Sequence, residues 1–131
     1  NRLEPHAIQA TELVSSGKES CWIMNQAIND LYNVIVNRKE APSENSYTRY
    51  LFDQGLDKIL KKCGEECSEV IIAAKGGDRE GLKQEICDLL YHLLVLMVEQ
   101  SISLSEIDKI LEERSLKIGN LKEPYKSDPN S

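Results

Sequence analysis

The segment from Ile86 to Val98 constrains the fold more than any other part of this 131-residue chain. On a helix it is apolar on nearly every side, and Asp88 is its single acidic residue. A helix that is apolar all round is surrounded by protein. Asp78 is a favourable N-cap residue before this segment. We therefore predict a helix from Asp78 to about Gln100 that forms the centre of the fold.

Apolar residues spaced by three and four positions predict three further helices. These span about Trp22–Lys39, Leu56–Lys75 and Ser103–Ser115. The last begins with "SLSE", a capping-box pattern, and Gly76 ends the second as a left-handed residue. No hairpin signal lies between alternating strands. The segment "SYTRYLFDQG" is a connector whose conformation the pattern leaves open.

The predicted fold is an all-α bundle of about four helices. One chain of this size leaves part of an almost wholly apolar helix uncovered, so we expect a homodimer that buries it between subunits. We divide the chain into a leader at 1–23, one domain at 24–115 and a polar tail at 116–131. The leader's origin, whether a tag, upstream translation or a remnant of another domain, is left open.

The charge and the termini limit the class of protein. A net charge of −6 disfavours a nucleic-acid binder or a protein held on an anionic membrane. The N-terminal residues contain no apolar signal-peptide region, and the longest apolar stretch is too short to span a bilayer. We therefore expect a cytoplasmic protein that binds neither nucleic acid nor a membrane. The four cysteines form no CxxC pair, so we expect small buried apolar side chains rather than a zinc or redox site.

Two pairs of acidic residues lie three positions apart, Glu66 with Glu69 on the second helix and Glu85 with Asp88 on the third. Residues at this spacing share one face of a helix, so two adjacent antiparallel helices bring both pairs together. Carboxylates at the edge of a core repel one another, and a bound cation removes that conflict. Ligands that are all oxygen favour Mg²⁺, or Mn²⁺, over zinc. The pattern predicts a metal site that binds phosphates.

The alternative is a solvated surface of paired charges. Lys61 and Lys62 stand four positions before Glu65 and Glu66, the spacing of helical ion pairs. Taken alone, "EECSE" favours that surface. Asp88 lies inside "ICDLL", where we expect no exposed face, so the two acidic pairs together favour the metal site.

The acidic spacing resembles that of the all-α nucleoside triphosphate pyrophosphohydrolases, the MazG-like superfamily. Three blocks, "SYTRYLF", "DKILKKCGEECSEVIIAAKGGD" and "EICDLLYHLLVLM", look like the phosphoribosyl-ATP pyrophosphatase family of histidine biosynthesis. The resemblance implies a MazG-like bundle. It also implies Mg²⁺-assisted attack of water on phosphoribosyl-ATP, a small-molecule substrate, giving phosphoribosyl-AMP and pyrophosphate.

The resemblance further implies roles for individual residues. The metal ligands are Glu66, Glu69, Glu85 and Asp88. The catalytic residues are Glu65 and Glu66, with Glu65 either a base for water or a ligand of a second metal. The substrate-binding residues are Tyr47, Thr48, Arg49, Lys58 and Lys62. The two lysines have an alternative role as ion-pair partners of the neighbouring glutamates.

Two other functions stay open. A house-cleaning pyrophosphohydrolase of the same superfamily, acting on dNTPs or damaged nucleotides, shares the acidic motif. The blocks "SYTRYLF" and "DLLYHLL" favour the histidine enzyme over it. The second alternative is a non-enzymatic helical dimerisation module whose acidic residues are surface charge.

Overall fold

The computed structural model describes residues 10–41 and 44–117. Within these ranges the chain forms five helices and no strand, which confirms the all-α prediction. The helices are α1 (Ala10–Glu40), α2 (Tyr47–Gln54), α3 (Leu56–Lys75), α4 (Arg79–Glu99) and α5 (Leu104–Lys117). The chain divides into two units after Ser101, and α5 is the described helix of the second unit. No single helix in the described ranges is long and apolar enough to cross a membrane.

The first helix begins earlier than predicted. We placed its start near Trp22, whereas α1 begins at Ala10 and continues into the predicted domain without a break. No proline lies between Ala10 and Glu40, and one glycine inside a helix costs only about 1 kcal/mol. Residues 1–9 of the predicted leader and 118–131 of the predicted tail lie outside the described residues.

The connector "SYTRYLFDQG" contains a helix, α2. Ser46 is its N-cap, and the Ser46 side chain accepts a hydrogen bond from the backbone N–H of Arg49 at 3.2 Å. Gly55, with φ of 90°, ends it in a conformation that favours glycine. Leu51 is fully buried. A helix of eight residues is unstable alone, so α2 depends on its packing against the rest of the chain.

A short turn joins α3 to α4 and makes them antiparallel neighbours. We predicted that Gly76 takes the left-handed conformation at the end of α3, but Gly77 does, with φ of 72°, while Gly76 stays right-handed. Asp78 is the N-cap of α4, as predicted, and accepts a hydrogen bond from the Gly81 N–H at 2.9 Å.

The core is built by the first four helices. Its buried apolar residues are Ile35, Leu51, Ile59, Leu94, Val95 and Val98. The residues that the structure describes leave one side of α4 uncovered, since Ile86 is 42% exposed and Leu93 is also exposed. Among the described residues, part of this apolar helix is thus uncovered, as we expected for a single chain.

An apolar groove lies between α1 and the uncovered side of α4, with a volume of about 420 Å³. Its lining residues are Met24, Ala27, Ile28, Leu31, Lys83, Ile86, Cys87, Leu90 and Leu94. Cys87 and Cys67 are exposed, and Cys63 is half-buried. The expectation of buried cysteines is therefore wrong for Cys67 and Cys87, because both lie on faces that this chain leaves open.

The second unit contributes α5, and its predicted capping box is present. The Ser103 N–H donates to the Glu106 carboxylate at 2.7 Å, and the Glu106 N–H donates to the Ser103 hydroxyl at 3.3 Å. This reciprocal pair satisfies two backbone donors that the first turn of a helix otherwise leaves unpaired.

We predict that Leu51→Ala lowers the free energy of unfolding by about 2–5 kcal/mol, because it leaves a cavity under α2. Leu116→Ala removes the same atoms from an exposed position on α5 and should change that free energy by no more than about 0.5 kcal/mol. Urea denaturation followed by circular dichroism measures both. Equal effects of the two substitutions would contradict the docking of α2 through Leu51.

Candidate active site

Three carboxylates meet between α3 and α4. Glu66, Glu85 and Asp88 each offer one oxygen, and these oxygens lie within 4.8 Å of one another. The antiparallel pairing and the three-residue spacing bring them together, as the sequence suggested. Glu69, one turn after Glu66, lies close enough to share a hydrogen bond with Glu85. We call these four residues the carboxylate cluster. Their assignment as metal ligands remains a prediction.

The carboxylate cluster contains oxygens without a donor. Glu66 is only 7% exposed. As ionised groups, Glu66 Oε2 and Glu85 Oε2 are buried and have no hydrogen-bond partner within residues 10–41 and 44–117. Leaving such oxygens unpaired is costly. A divalent cation with oxygen ligands fits these residues, and zinc, which prefers nitrogen and sulfur, fits them less well.

Without a cation, the carboxylate cluster relieves its repulsion by holding a proton. A hydrogen bond with Glu69 is the largest cause that raises the pKa of Glu85 to about 7. Partial burial and the charges of Glu69, Glu66 and Asp88 raise that pKa further. Burial, followed by the interaction with Glu69, raises the pKa of Glu66. A carboxyl–carboxyl hydrogen bond needs one proton, so the cluster is a coupled group that exchanges a proton near neutral pH.

Asp88 is exposed, which corrects the expectation that its surroundings offer no exposed face. The apolar run suggested a helix that is covered all round, but Asp88, on the face that it shares with Glu85 beside α3, remains exposed. The evidence for Asp88 as a site residue is therefore its distance from Glu66 and Glu85, and not its burial.

Glu65 lies beside lysines rather than in the cluster. Its carboxylate is 3.1 Å from Lys62 Nζ and 3.9 Å from Lys61 Nζ. The hydrogen bond from Lys62 lowers the pKa of Glu65, so this carboxylate stays ionised at neutral pH. Lys62 Nζ is also 3.7 Å from Glu66 Oε1. The solvated ion-pair alternative thus describes Glu65, and Lys62 bridges it to the buried Glu66.

The beginning of α2 borders this group of charges. The Tyr47 hydroxyl lies 3.2 Å from Nε2 of His92, and the Thr48 hydroxyl is hydrogen-bonded to the hydroxyl of Tyr91. The charge of Lys62 lowers the pKa of the Tyr47 hydroxyl and that of Glu66 raises it, but partial burial dominates and the net shift is upward. Tyr47 therefore lies within electrostatic reach of Lys62 and Glu66, and the assignment of Tyr47 and Thr48 to the substrate site remains a prediction.

Sequence reasoning missed Tyr50, and it favoured for His92 a place in the core or behind the metal ligands rather than a role as a ligand. The Tyr50 ring stacks on Tyr47 at 6.1 Å between centroids, and Lys58 Nζ lies 6.0 Å from the Tyr50 centroid. Tyr50 is three positions after Tyr47, a spacing that would have indicated a shared face had the connector been identified as a helix.

Arg49 has other partners. Its guanidinium donates to the backbone carbonyl of Lys39 at 2.7 Å and pairs with Asp53 at 3.1 Å. The bond to Lys39 fastens α2 to the carboxyl end of α1, whereas the pair with Asp53 lies within α2. The assignment of Arg49 to the substrate site remains a prediction, and these contacts give it no support.

The described site lies inside a region that is similar to known proteins. Residues 28–115 match the family model described as phosphoribosyl-ATP pyrophosphohydrolase. The phosphoribosyl-ATP pyrophosphatase of Clostridium botulinum is 58% identical over 103 residues, which cover 79% of this chain and 94% of the relative. The proteins of the same name from Listeria welshimeri and Bacillus cytotoxicus are 54% and 49% identical, over 73% and 76% of this chain and 92% and 94% of the relatives.

The raised pKa of Glu85 predicts how the stability of the metal-free protein changes with pH. Its ordinary pKa is 4.5 and its pKa in the folded chain is about 7, so between these values the folded state binds more protons than the unfolded state. The free energy of unfolding contributed by this group is therefore fully present below pH 4.5 and decreases as the pH rises through 7.

In EDTA, Glu85→Gln should remove this decrease, because the amide keeps the shape of the side chain and does not ionise. The measurement is the melting temperature of both proteins between about pH 5 and pH 8, where we expect the variant to gain on the wild type as the pH rises. Glu112→Gln, at an exposed position on α5, makes the same change of charge outside the cluster. If the melting temperatures of the wild type and Glu85→Gln changed with pH in the same way, the proton shared within the carboxylate cluster would be contradicted.

Proposed function

Since this chain belongs to the phosphoribosyl-ATP pyrophosphohydrolase family, we propose that it hydrolyses phosphoribosyl-ATP to phosphoribosyl-AMP and pyrophosphate in histidine biosynthesis. The observation that carries the proposal is the meeting of Glu66, Glu85 and Asp88, with two buried carboxylate oxygens that lack a donor among the described residues. This arrangement suits a reaction at a highly charged polyphosphate, because such a substrate arrives together with cations.

We assign the four residues of the carboxylate cluster to a Mg²⁺ ion, with Mn²⁺ as the alternative. The burial of Glu66 and the all-oxygen donor set support this assignment. When bound, the ion supplies positive charge to the triphosphate and lowers the pKa of a water molecule that it binds. The cluster itself gives up its shared proton and keeps the four side chains facing one another across α3 and α4.

The residues beside the cluster bind the substrate. Lys62 is already held beside Glu65 and Glu66, and Lys58 lies one turn earlier on α3 beside Tyr50. Both ammonium groups act on the phosphates as point charges. Tyr47 and Thr48 line the same side from α2. Arg49 is proposed as a substrate-binding residue only because the block "SYTRYLF" resembles the family.

Two glutamates carry the catalytic roles. Glu66 holds the metal at the buried edge of the site. Glu65 accepts the proton of the attacking water, and two observations support this role. Its carboxylate is exposed, so water reaches it, and it is ionised at neutral pH and so able to accept a proton, while the hydrogen bond from Lys62 that lowers its pKa makes it a weaker base.

The remaining proposals concern partners and location. We propose a cytoplasmic enzyme that binds a small molecule and no nucleic acid or membrane, which the net charge of −6 supports. We also propose a homodimer in which a second copy covers the groove between α1 and α4. The 42% exposure of Ile86 and the absence of charged side chains other than Lys83 from the groove support it.

The dimer proposal predicts a particle of twice the 14.8 kDa chain mass in sedimentation equilibrium. Ile86→Glu should shift it towards the monomer, because it buries a charge in the interface. Ile110→Glu is the matched control, since Ile110 is 46% exposed and lies on α5, outside the groove. A monomeric wild type, or equal dissociation of the two variants, would contradict the proposal.

The function is tested by pyrophosphate release from phosphoribosyl-ATP, with Mg²⁺ and with EDTA, beside a panel of dNTPs. We expect Mg²⁺-dependent release confined to phosphoribosyl-ATP. Glu66→Gln and Asp88→Asn should each lower turnover by about 100-fold or more and leave the helical circular dichroism unchanged.

The other outcomes distinguish the remaining functions. Release from dNTPs instead of phosphoribosyl-ATP would identify a house-cleaning pyrophosphohydrolase with the same cluster. Near-wild-type activity of either variant would contradict the metal assignment. Inactivity on every substrate, together with a melting temperature that Mg²⁺ does not raise, would favour the dimerisation module.

A further inference from the structure

His92 connects the carboxylate cluster to α2. It lies one turn after Asp88 on α4 and is only 5% exposed. Its Nδ1 is 2.7 Å from the backbone carbonyl oxygen of Asp88, and its Nε2 is 3.2 Å from the hydroxyl of Tyr47. Both ring nitrogens therefore have a partner, one on its own helix and one on α2.

For a neutral imidazole, the partners set the direction of these two hydrogen bonds. A backbone carbonyl only accepts, so Nδ1 carries a hydrogen and donates to Asp88. In the neutral imidazole, Nε2 is then the acceptor, and the Tyr47 hydroxyl donates to it. Partial burial raises the pKa of the Tyr47 hydroxyl, so the hydroxyl keeps the proton that this bond requires.

Neighbouring rings hold the Tyr47 ring in this orientation. His92 meets it edge-on at 6.0 Å between centroids, and Tyr50 and Tyr91 stack on it at 6.1 and 6.2 Å. Tyr47 itself is nearly half exposed. Lys62 lies near enough for its charge to act on the Tyr47 hydroxyl.

Resting on the proposed function, we infer that His92 is a positioning residue that orients Tyr47 as a hydrogen-bond acceptor for the nucleotide. Since the only proton of the Tyr47 hydroxyl goes to His92, the oxygen offers the substrate lone pairs and no donor. An ionised phosphate oxygen cannot donate to it. The group that Tyr47 recognises is therefore a donor in the nucleoside part of the substrate, a ribose hydroxyl or an N–H of the base, and the phosphates are left to the metal and the lysines.

Two isosteric substitutions separate the two hydrogen bonds of His92. In His92→Asn the side-chain amide keeps a donor near the Nδ1 position and loses the acceptor for Tyr47. His92→Gln extends an acceptor towards the Nε2 position and loses the donor to Asp88. Tyr47→Phe removes the hydroxyl and leaves the ring. Val98→Ala, a buried position farther along α4, is the control for a general loss of stability.

We expect Tyr47→Phe and His92→Asn each to raise the KM for phosphoribosyl-ATP by about 3- to 10-fold, the effect of losing one hydrogen bond, with kcat within about twofold of wild type. The double variant should have the KM of either single variant, because both changes remove one interaction. His92→Gln should raise KM less than His92→Asn. Inhibition by pyrophosphate, which has no ribose or base, should stay at its wild-type strength in all of them.

A wild-type KM in His92→Asn would overturn the inference, as would additive effects in the double variant or equal effects of Asn and Gln. A His92→Asn variant that only melts earlier, as Val98→Ala does, would also overturn it, since that shows a purely structural role. A wild-type protein that releases no pyrophosphate from phosphoribosyl-ATP would overturn the proposed function together with this inference. The two failures are thus distinguished by the activity of the wild type.

Discussion

The register between α3 and α4 is the constraint on which the rest of the site depends. The turn from Gly76 to Asp78 sets that register, with Gly77 left-handed and Asp78 capping α4. From this register, Glu66 faces Glu85 and Asp88 at a distance where the carboxylates cannot all be ionised without cost. The packing of α3 against α4 therefore holds the carboxylates close together despite their repulsion, and a bound cation or a shared proton relieves that repulsion.

The two ways of relieving this conflict connect stability to chemistry. In the metal-free protein the hydrogen bond with Glu69 is the largest cause that raises the pKa of Glu85 to about 7. Metal ligands must be deprotonated, so an ion bound there as proposed would release that proton and would bind more tightly as the pH rises. Lys62 contributes a second, partial neutralisation of Glu66 at 3.7 Å. The Glu69–Glu85 hydrogen bond and the Lys62–Glu66 ion pair are thus contacts within the chain that a bound cation would replace.

Helical periodicity and local capping chemistry account for the features that could be predicted from the sequence. The spacing of three between the acidic residues placed both pairs on facing sides of α3 and α4, and the caps at Asp78 and Ser103 were identified from the neighbouring residues alone. Helix α2 was not predicted, because eight residues with one buried side chain, Leu51, carry too little periodicity to distinguish a helix from a connector. Tyr50 was missed for the same reason.

Other differences arise from tertiary structure that a pattern does not contain. The exposure of Asp88 and Cys87 depends on which side of α4 the other helices leave open, and an apolar run gives no information about that side. The bridge from Tyr47 to His92 joins residues 45 positions apart, so neither local spacing nor composition could indicate it. The early start of α1 reflects a stretch without a proline, which permits a helix but does not by itself predict one.

The manner in which α2 is held has a consequence for how the site responds to its ligand. The carboxylates stand on α3 and α4, which pack against each other more extensively than any other pair of described helices, whereas the tyrosine side of the site stands on a helix anchored by Leu51 and by polar contacts to α1 and α4. Segments with few buried apolar contacts open locally at a lower free energy than the core. With the ion and the nucleotide bound as proposed, the site would be stiff at the ion and more easily deformed at the nucleotide, so a change in the recognised base or sugar would require a change in α2 and none in the carboxylate cluster.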